Sequence, residues 1–474
     1  MLLRYFYNDK LAQASYFVGC QATGEAIVVD PARDVEPYIC AAEEQGMRIV
    51  AATETHIHAD FVSGARELAE RTGAALLLSD EGNIDWKYGY LDAYRHVLLR
   101  DGATFFVGNL RFEVMHSPGH TPEHISFLLT DTAGADRPMG IFTGDFVFVG
   151  DVGRPDLLEK AAAQAGTAET GARQMFHSLD RFKQLPDYLQ LWPGHGAGSA
   201  CGKALGAVPS STVGYEKLFN WALQYDAEDA FVSALLDGQP EPPRYFAVMK
   251  RLNKLGPKVL HGTPHVQHRP IQDLTRLLNS GARVVDTRPP EAFAAAHVPG
   301  TINIPYGSSF VNWAGWLISY EQPFYLIAER HAVEEMAREL RQIGLDELAG
   351  YFEPPPVNTW SEAGLPMQSY HMAAPGEIAR RILADEVRVI DVRNQSEWEE
   401  DRLAAADHIM LGYLEDQIAT LPRDKPVVVQ CRTGARSAIA ASLLQANGVP
   451  GVINMVGGIR DWMADGLPVE HSGP

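Results

Sequence analysis

The stretch TETHIHADFVSG, residues 53–64, follows the apolar run RIVAA and brings together three candidate metal ligands, His56, His58 and Asp60. The apolar run predicts a buried strand, so these side chains are expected to project from the end of that strand. Three further apolar runs in the N-terminal half of the chain end in the same way, before His120, Asp145 and His195. An open sheet can collect ligands from distant sequence at the ends of its strands. The sequence therefore predicts a metal centre in this part of the chain.

The length and composition of the chain indicate a multidomain globular protein. A chain of 474 residues is too long for one hydrophobic core, and its 46% hydrophobic and 21% charged residues are typical of globular domains. No apolar run approaches the roughly 20 residues of a membrane helix. The first residues also lack the apolar stretch and cleavage site of a secretory signal. We therefore expect a cytoplasmic protein without a membrane-spanning segment.

The charge and the cysteine content narrow the kinds of partner. A formal net charge of −20 disfavours binding to nucleic acid and to anionic membrane surfaces. Four cysteines in so long a chain are too few for a disulfide framework, so a cysteine with a function is expected to be a reactive thiol. We expect small-molecule ligands and a homo-oligomer, whose size the sequence does not give.

Two stretches rich in Pro and Gly, residues 236–270 and 351–377, interrupt the apolar periodicity and predict linkers. They divide the chain into segments 1–260, 265–368 and 370–474. The second and third segments are related, because RVVDTRPPEAF at 283–293 aligns without a gap with RVIDVRNQSEW at 388–398. In both segments strands alternate with helices, which predicts parallel-sheet α/β modules.

The third segment carries a candidate nucleophile at a strand end. Cys431 follows the buried run VVVQ, and RTGARS then turns into a helix. Backbone N–H groups and the helix N-terminus are expected to surround the sulfur, and Arg432 and Arg436 add positive potential. Such surroundings lower the pKa of a thiol and favour the thiolate. The pattern C-x-x-G-x-R-S resembles the active-site loop of the rhodanese family, which implies sulfur transfer at Cys431.

The second segment, residues 265–368, is expected to be a silent copy of this module. Its run YLIAERHAVEE aligns Glu329 with the cysteine, and the glycine and both arginines of the loop are absent. Because glutamate cannot carry sulfane sulfur, we expect this copy to pack, space or dock without catalysis.

The N-terminal segment shows H-x-H-x-D, then SPGHT, FTGD and PGHG in chain order. This order resembles the metallo-β-lactamase superfamily, which implies an αβ/βα sandwich. The motifs THIHADFVSG, SPGHT, FTGD and VGRPDLL are most similar to those of the persulfide dioxygenases, which are mononuclear non-haem iron enzymes. The resemblance implies one Fe(II) per chain, held by His56, His120 and Asp145. A two-histidine, one-carboxylate face leaves positions for water, dioxygen and substrate.

Phe61 occupies the position at which dinuclear members of the superfamily carry a further histidine. Asp60 and His195 remain, so a second metal site is expected to lack one ligand. The substitution therefore favours one metal and disfavours a dinuclear thioesterase of the glyoxalase II kind. Phe61 can also be an ordinary core aromatic. Zinc is the chemical alternative to iron, because a three-ligand site accepts either metal.

The remaining polar residues near the motifs are assigned supporting roles. His58, Asp60 and His195 are expected to orient ligands or water. Arg154 either holds a substrate carboxylate or braces its loop. Cys201 lies in a Gly-rich loop expected to cross the mouth of the metal site. It is either packing or a thiol, stabilised as thiolate by loop N–H groups, that takes up sulfane sulfur near the iron.

The whole chain resembles fusions of a persulfide dioxygenase with a silent and an active rhodanese module. The resemblance implies oxidation of a low-molecular-weight persulfide, RSSH, by O2 to sulfite and thiol, and sulfur transfer that forms or uses thiosulfate. Two alternatives remain open: a zinc thioesterase fused to a sulfurtransferase, and a persulfide sensor without turnover. The sequence does not identify the thiol carrier or the direction of the transfer.

Overall fold

The structure is a computed structural model that describes residues 1–157, 159, 166–203, 205–239, 241–262, 265–354, 360, 364 and 366–471. Residues 263–264, 355–359, 361–363 and 365, which fall in the two predicted linkers, lie outside the described residues. The chain divides into two compact units, Met1–Pro264 with Arg341–Gly344, and His265–Leu340 with Leu345–Pro474. Within the described ranges, no helix has the length and apolar character needed to cross a bilayer.

The first unit contains two mixed sheets, with strand orders β1-β2-β3-β4-β5-β6 and β12-β11-β10-β9-β8-β7. In the first sheet β1–β3 are antiparallel and β3–β6 are parallel. The strands are β1 (Leu2–Asn8), β2 (Gln13–Cys20), β3 (Glu25–Val29), β4 (Arg48–Thr53), β5 (Ala75–Ser79), β6 (His96–Leu99), β7 (Thr104–Val107), β8 (Leu110–His116), β9 (Ile125–Asp131), β10 (Gly140–Gly144), β11 (Gln190–Pro193) and β12 (Ser211–Thr212).

Helices cover the outer faces of these two sheets. Apolar side chains of both sheets, such as Val18 and Phe112, form the core between them. A second core packs the first sheet against helices through Tyr38 and Leu68, and a third contains Met175 of the long helix α3. The helices are α1 (Glu36–Glu44), α2 (Ala65–Thr72), α3 (Thr167–Lys183), α4 (Val213–Phe219), α5 (Glu228–Leu236) and α6 (Tyr245–Leu255), with 3-10 turns at Ile84–Trp86, Leu91–Ala93 and Trp221–Gln224.

The second unit contains two parallel sheets, with orders β14-β13-β15-β16 and β17-β22-β21-β18-β20, and a short antiparallel pair β19-β23. The strands are β13 (Arg283–Asp286), β14 (Ile302–Asn303), β15 (Phe324–Ile327), β16 (Leu348–Phe352), β17 (His371–Ala373), β18 (Arg388–Asp391), β19 (Asp401–Arg402), β20 (Ala406–His408), β21 (Val427–Gln430), β22 (Val452–Met455) and β23 (Glu470–His471). The helices are α7 (Gln272–Asn279), α8 (Pro290–Ala295), α9 (Phe310–Leu317), α10 (Val333–Gln342), α11 (Pro375–Leu383), α12 (Gln395–Glu400), α13 (Leu411–Gln417), α14 (Ala435–Ala446) and α15 (Gly458–Ala464), with a 3-10 turn at Ile418–Thr420.

Each of the two parallel sheets has an aspartate–arginine ion pair at the end of a central strand. In the first, Nε and Nη2 of Arg288 donate to the carboxylate of Asp286 at 3.0 and 2.6 Å. In the second, Nε and Nη2 of Arg393 donate to Asp391 at 3.0 and 2.7 Å. These aspartate–arginine clamps lie at matching positions of the sequence duplication.

The predicted fold class is confirmed: an αβ/βα sandwich of two mixed sheets precedes two rhodanese-like parallel-sheet α/β modules. Both modules lie in the second compact unit, where the backbone N–H of Asn303 donates to the hydroxyl of Ser442 at 2.8 Å.

Candidate metal centre and thiol loop

The four strand ends singled out by the sequence converge in the first unit. β4 leads to His56, β8 to His120, β10 to Asp145 and β11 to His195. These four side chains are buried, with exposed fractions between 0% and 4%. Buried polar groups need partners, so their arrangement defines a site and not an ordinary surface.

His56, His120 and Asp145 form one set of donor atoms, all within 4.8 Å of one another. Oδ2 of Asp145 lies 3.5 Å from Nε2 of His120 and 4.0 Å from Nε2 of His56. In the part of the chain that the structure describes, Nε2 of His56 and both carboxylate oxygens of Asp145 have no hydrogen-bond partner. Buried donors that face one another without partners fit a bound cation.

The second ring nitrogens of both histidines are already engaged. Nδ1 of His56 lies 3.0 Å from the Thr55 hydroxyl, which in turn donates to Asp30 at 3.0 Å. Nδ1 of His120 donates to the carbonyl oxygen of Arg154 at 2.9 Å. With the proton on Nδ1, each Nε2 keeps a lone pair for a metal.

Burial lowers the pKa of both imidazoles, and neighbouring histidines lower that of His56 further. Neutral imidazole is the form that binds a metal, so the residues present fit a divalent cation. Two histidines and one carboxylate are the donor set of non-haem iron, and zinc accepts the same donors. The donors do not fix the identity of the metal.

A second donor set, Asp60, His195 and Cys201, lies beside the first, with its ligand atoms also within 4.8 Å of one another. Nε2 of His195 is 3.1 Å from Oδ2 of Asp60 and 3.5 Å from Oδ1 of Asp145. Asp145 thus presents one oxygen to each set. Burial by itself lowers the pKa of His195, but the carboxylates of Asp145 and Asp60 hold it well above its ordinary value.

The expectation that this second set lacks a third donor is wrong, because the sulfur of Cys201 completes it. Phe61 itself is 1% exposed, and its ring lies 4.3 Å from the ring of His58. Its carbonyl oxygen accepts a hydrogen bond from the side chain of Asn253 at 2.7 Å. Phe61 is therefore a core aromatic that packs against His58. The third donor atom of the second set comes from Cys201, much later in the sequence.

The expected thiolate at Cys201 is not supported by the structure. Burial and the nearby carboxylates of Asp145 and Asp60 raise the pKa of this thiol to about 12. The backbone N–H of Cys201 donates to the hydroxyl of Ser199 at 3.1 Å. Burial and the two carboxylates outweigh His195, which lowers the pKa, so the free side chain is a neutral thiol.

His58 is not among the three residues of the first donor set, and one of its ring nitrogens is engaged by Asp30. Its Nε2 lies 3.0 Å from Oδ1 of Asp30, and its ring centroid lies 4.3 Å from that of His56, with the two rings tilted by 56°. Burial alone would lower the pKa of His58, but Asp30 raises it to about 9. Asp30 also accepts the N–H of Thr55 at 2.7 Å, so it positions the whole motif. The sequence analysis missed Asp30, although it too follows an apolar run, AIVV, at a strand end.

Arg154 braces the site and does not face a substrate. It is 0% exposed, and Nε and Nη2 donate to the carboxylate of Asp156 at 2.7 and 2.6 Å. Its backbone carbonyl orients His120, and its backbone N–H donates to the carbonyl oxygen of Cys201 at 3.1 Å. Of the two predicted roles, the geometry therefore supports loop bracing. Arg154 links a residue of each donor set.

His124 is a further positioning residue. Its Nε2 accepts the backbone N–H of Asp145 at 3.2 Å, and its Nδ1 lies 2.9 Å from the hydroxyl of Ser117. Its ring stacks on His56 with centroids 5.1 Å apart. Burial holds the pKa of His124 well below its usual value, so it acts as a neutral hydrogen-bond partner.

In the second unit Cys431 lies directly after β21 and is 1% exposed. Its sulfur accepts the N–H of Gly434 at 3.1 Å and lies 3.5 Å from the hydroxyl of Ser437. Gly434 has φ +97°, a backbone conformation that glycine adopts without steric cost. The loop therefore folds back over the sulfur as the sequence predicts.

The two arginines of this loop play different parts. Nη1 and Nη2 of Arg436 donate to both oxygens of Glu397 at 2.6 and 2.7 Å, so its charge is largely offset. Arg432 has an exposed side chain. The prediction that both arginines add positive potential therefore needs correction for Arg436, and Glu397 was missed because it lies on a separate helix.

The position that matches Cys431 in the first module is Ala328 and not Glu329. β13 and β15 pair Asp286 with Ile327, and β18 and β21 pair Asp391 with Gln430. The residue after each second partner is then Ala328 or Cys431. Ala328 is 1% exposed, whereas Glu329 is exposed. The copy still lacks a thiol, but the alignment by sequence was wrong by one residue.

Comparison with known proteins agrees with this architecture. The profile of the Metallo-beta-lactamase superfamily matches residues 8–195, and that of the Rhodanese-like domain matches residues 271–351 and 374–465. A solved structure described as a metallo-beta-lactamase from Staphylococcus aureus subsp. aureus COL is 45% identical, with a TM-score of 0.68. The alignment covers 75% of this chain and 99% of that one.

Curated relatives match part of the chain. A hydroxyacylglutathione hydrolase of Gloeobacter violaceus is 38% identical over 178 residues, which are 37% of this chain and 60% of the relative. The persulfide dioxygenase ETHE1, mitochondrial, of Bos taurus is 28% identical over 204 residues, 41% of this chain and 68% of the relative. The chain covers 60% of that hydrolase and 54% of a beta-lactamase hydrolase-like protein of Xylella fastidiosa, which is less than two thirds of the length of either relative. Taken with the fold, these matches show that the chain belongs to the metallo-beta-lactamase superfamily, as a metallo-beta-lactamase domain fused to rhodanese-like domains, with distant homology to persulfide dioxygenase and glyoxalase II.

Proposed function

We propose that the protein is an enzyme that oxidises low-molecular-weight persulfides in the first unit and transfers sulfane sulfur at Cys431 in the second. The overall oxidation is RSSH + O2 + H2O giving RSH, sulfite and two protons. The sulfane sulfur loses four electrons, which reduce the oxygen molecule. The substrates are small molecules: a thiol persulfide, dioxygen, and sulfite or thiosulfate.

The observation that carries the proposal is the two-histidine, one-carboxylate set formed by His56, His120 and Asp145. An iron ion held there supplies open coordination positions and the one-electron chemistry that dioxygen requires. The protein keeps these donors ready: Arg154 fixes the ring of His120, and His124 holds the backbone of Asp145.

The second half of the proposal concerns Cys431. Its thiolate attacks the outer sulfur of thiosulfate, the S–S bond breaks, and sulfite leaves with the bonding electron pair. In the reverse direction, sulfite attacks the outer sulfur of the Cys431 persulfide and thiosulfate leaves. Gly434 and Ser437 hydrogen-bond the sulfur in either direction, and the exposed Arg432 can meet the dianion.

The test measures oxygen uptake by the full-length, iron-loaded protein on addition of a thiol persulfide, together with the sulfite formed. We expect one sulfite per oxygen molecule and about one iron per chain. His120→Ala or Asp145→Ala should abolish oxygen uptake and iron retention while thiosulfate-linked transfer continues, because Cys431 belongs to the other compact unit. Cys431→Ser should give the opposite pattern. Persulfide-independent turnover, or loss of both activities in a folded variant, contradicts the proposal.

A second candidate is a thioesterase, favoured by the second donor set and by the similarity to a hydroxyacylglutathione hydrolase. Two adjacent cations can activate water for attack on a carbonyl. To discriminate between the two candidates, the zinc-loaded and the iron-loaded protein are each assayed with a glutathione thioester and with a persulfide. Thioester hydrolysis by the zinc form, without oxygen uptake by the iron form, favours the hydrolase.

A further inference from the structure

The loop between β4 and α2, residues 54–64, carries His56, His58 and Asp60. Of these eleven residues only Ala59 is partly exposed, and the others are buried. Backbone N–H and C=O groups that are shielded from water need hydrogen-bond partners. Four such groups between residues 58 and 63 find their partners in two distant parts of the chain.

The first partner is Asn253, on α6. Its Nδ2 donates to the carbonyl oxygen of His58 at 2.8 Å and to that of Phe61 at 2.7 Å. Its Oδ1 accepts the backbone N–H of Ser63 at 2.9 Å. Asn253 is 1% exposed, and both of its N–H donors and its acceptor oxygen are used on this one loop. The side-chain amide therefore fixes the spacing of three loop residues.

The second partner is the segment Arg341–Gly344, which belongs to the first compact unit although it lies within the sequence copy that has no thiol. The carbonyl oxygen of Gln342 accepts the backbone N–H of Val62 at 2.7 Å. Arg33 secures the segment from the other side, because its Nη1 donates to the carbonyl oxygen of Arg341 at 2.7 Å. Its backbone N–H also donates to Oε1 of Gln342 at 3.2 Å. The loop is thus held between α6 and this segment.

Gly344 allows the two partners to approach each other. It has φ +76°, and a Cβ at this position would lie 2.8 Å from Cδ1 of Leu252 and 3.0 Å from Cε of Met249. Both of those residues lie on α6, the helix that carries Asn253. The same Cβ would lie 3.4 Å from Cγ2 of Val62. A side chain at position 344 would therefore press on α6, and through it on the loop.

We propose that Asn253 and the segment Arg341–Gly344 position the metal-ligand loop, so that the copy without a thiol contributes to the metal centre of the first unit. His56 lies in this loop, and a shift of the backbone that follows it displaces its ring. Donors that are fixed before a metal arrives bind it more tightly, because less reorganisation is needed. The inference concerns the retention of the metal and does not rest on persulfide oxidation.

The alternative explanation is that these contacts serve only the stability of the first unit. Two variants of the full-length protein separate the explanations: Asn253→Leu removes the three hydrogen bonds, and Gly344→Ala presses on α6. Gly281→Ala is the matched control, because Gly281 also has a left-handed backbone, with φ +82°, but no atom lies within 4 Å of an added Cβ. Iron retention is measured by dialysis against a chelator. Amide hydrogen exchange of residues 54–64 is measured in the metal-free protein, with the amides of β2 and β3 as a check of the fold.

Asn253→Leu and Gly344→Ala should each weaken iron binding by about tenfold or more, and should speed exchange of the loop by a similar factor. Exchange in β2 and β3 should stay as in the parent protein, and Gly281→Ala should leave iron binding and loop exchange unchanged. The proposal is overturned if both variants keep the parent's iron affinity and loop exchange. It is also overturned if Gly281→Ala weakens iron binding as much as Gly344→Ala does. If one variant does not fold, the other gives the decision.

Discussion

The carbonyl oxygen of Ala12 accepts a hydrogen bond from Nδ1 of His195 at 3.0 Å, although Ala12 holds a left-handed backbone with φ +49°. The same oxygen accepts the N–H of Gly196 at 3.0 Å. A residue with a side chain enters this region of backbone space at a cost, so surrounding contacts must maintain it. The turn between β1 and β2 thus keeps a strained conformation that orients a ring of the second donor set.

Substitutions at Ala12 test this strain. Ala12→Val should lower the free energy of unfolding by about 1–2 kcal/mol, because a β-branched side chain fits the left-handed region poorly. Ala12→Gly should change it by less than about 0.5 kcal/mol, because relief of strain is offset by the greater freedom of the unfolded chain. Urea unfolding measures both. Ala22→Val, at an exposed position of an ordinary turn, is the control. Equal stability of all three variants would contradict the assignment of strain.

The register of the silent module predicts the outcome of restoring a thiol there. The double variant Ala328→Cys, Cys431→Ser should show no transfer from thiosulfate to a thiol acceptor. In the matched frame His331 replaces Gly434, which needs φ +97°, and Val333 replaces Arg436. A cysteine alone therefore lacks the loop that folds over its sulfur. Cys431→Ser alone sets the background. Transfer above that background would show that the loop around the sulfur, with Gly434 and Arg436, is not required.

The pair between Glu397 and Arg436 predicts a pH dependence for the active module. Burial alone would raise the pKa of Glu397, but Arg436 lowers it below its usual value of 4.5. A lowered carboxylate pKa means that the stabilisation is present above pH 4.5 and is lost as the pH falls through the lowered pKa.

Glu397→Gln should therefore reduce the local opening free energy of α14 by roughly 1–3 kcal/mol near pH 7, because Arg436 is left half-buried without its partner. The difference from the parent should shrink as the pH falls below about 4. Amide hydrogen exchange of α14 measures this energy. Glu400→Gln, on the same helix and exposed, is the matched control. A difference that is constant with pH rules out the ion pair as its source.

The buried thiol of Cys201 predicts selective alkylation. In the native protein near pH 8, iodoacetamide should modify the exposed Cys40 and leave Cys201 unmodified, because burial and two carboxylates raise the pKa of that thiol to about 12. Peptide mass spectrometry measures both sites. In urea both should react at similar rates, which serves as the control. Native-state modification of Cys201 as fast as Cys40 would refute its protection.

The sequence was sufficient for features that short segments encode. Each metal-ligand motif follows its own apolar strand, so His56, His120 and Asp145 could be placed at strand ends without knowledge of the fold. Their convergence needs more than one sheet, because β4, before His56, belongs to the first sheet, whereas β8 and β10, before His120 and Asp145, belong to the second. The cysteine loop could be read for the same reason, since strand, nucleophile and helix are consecutive.

Contacts between distant residues could not be read in this way. Ala12 and His195 are 183 positions apart, and Glu397 is 39 positions from Arg436. Whether such groups meet depends on the packing of whole sheets and helices, which local patterns do not specify. The one-residue error at Ala328 is of another kind, because QPFYLIA and KPVVVQC, aligned on their shared proline, already place Ala328 opposite Cys431, as the strand register does.

The two aspartate–arginine clamps allow the modules to act as controls for each other. The copy without a thiol has kept its clamp, Asp286 with Arg288, with nearly the same distances as Asp391 with Arg393. A feature shared by the copy with the thiol and the copy without it does not depend on the thiol, so we assign it to folding. By the same comparison, we assign Glu397, which holds Arg436, and the left-handed Gly434 to the proposed sulfur transfer. The duplication thus allows residues needed for the fold to be distinguished, within a single polypeptide, from residues needed for the proposed reaction.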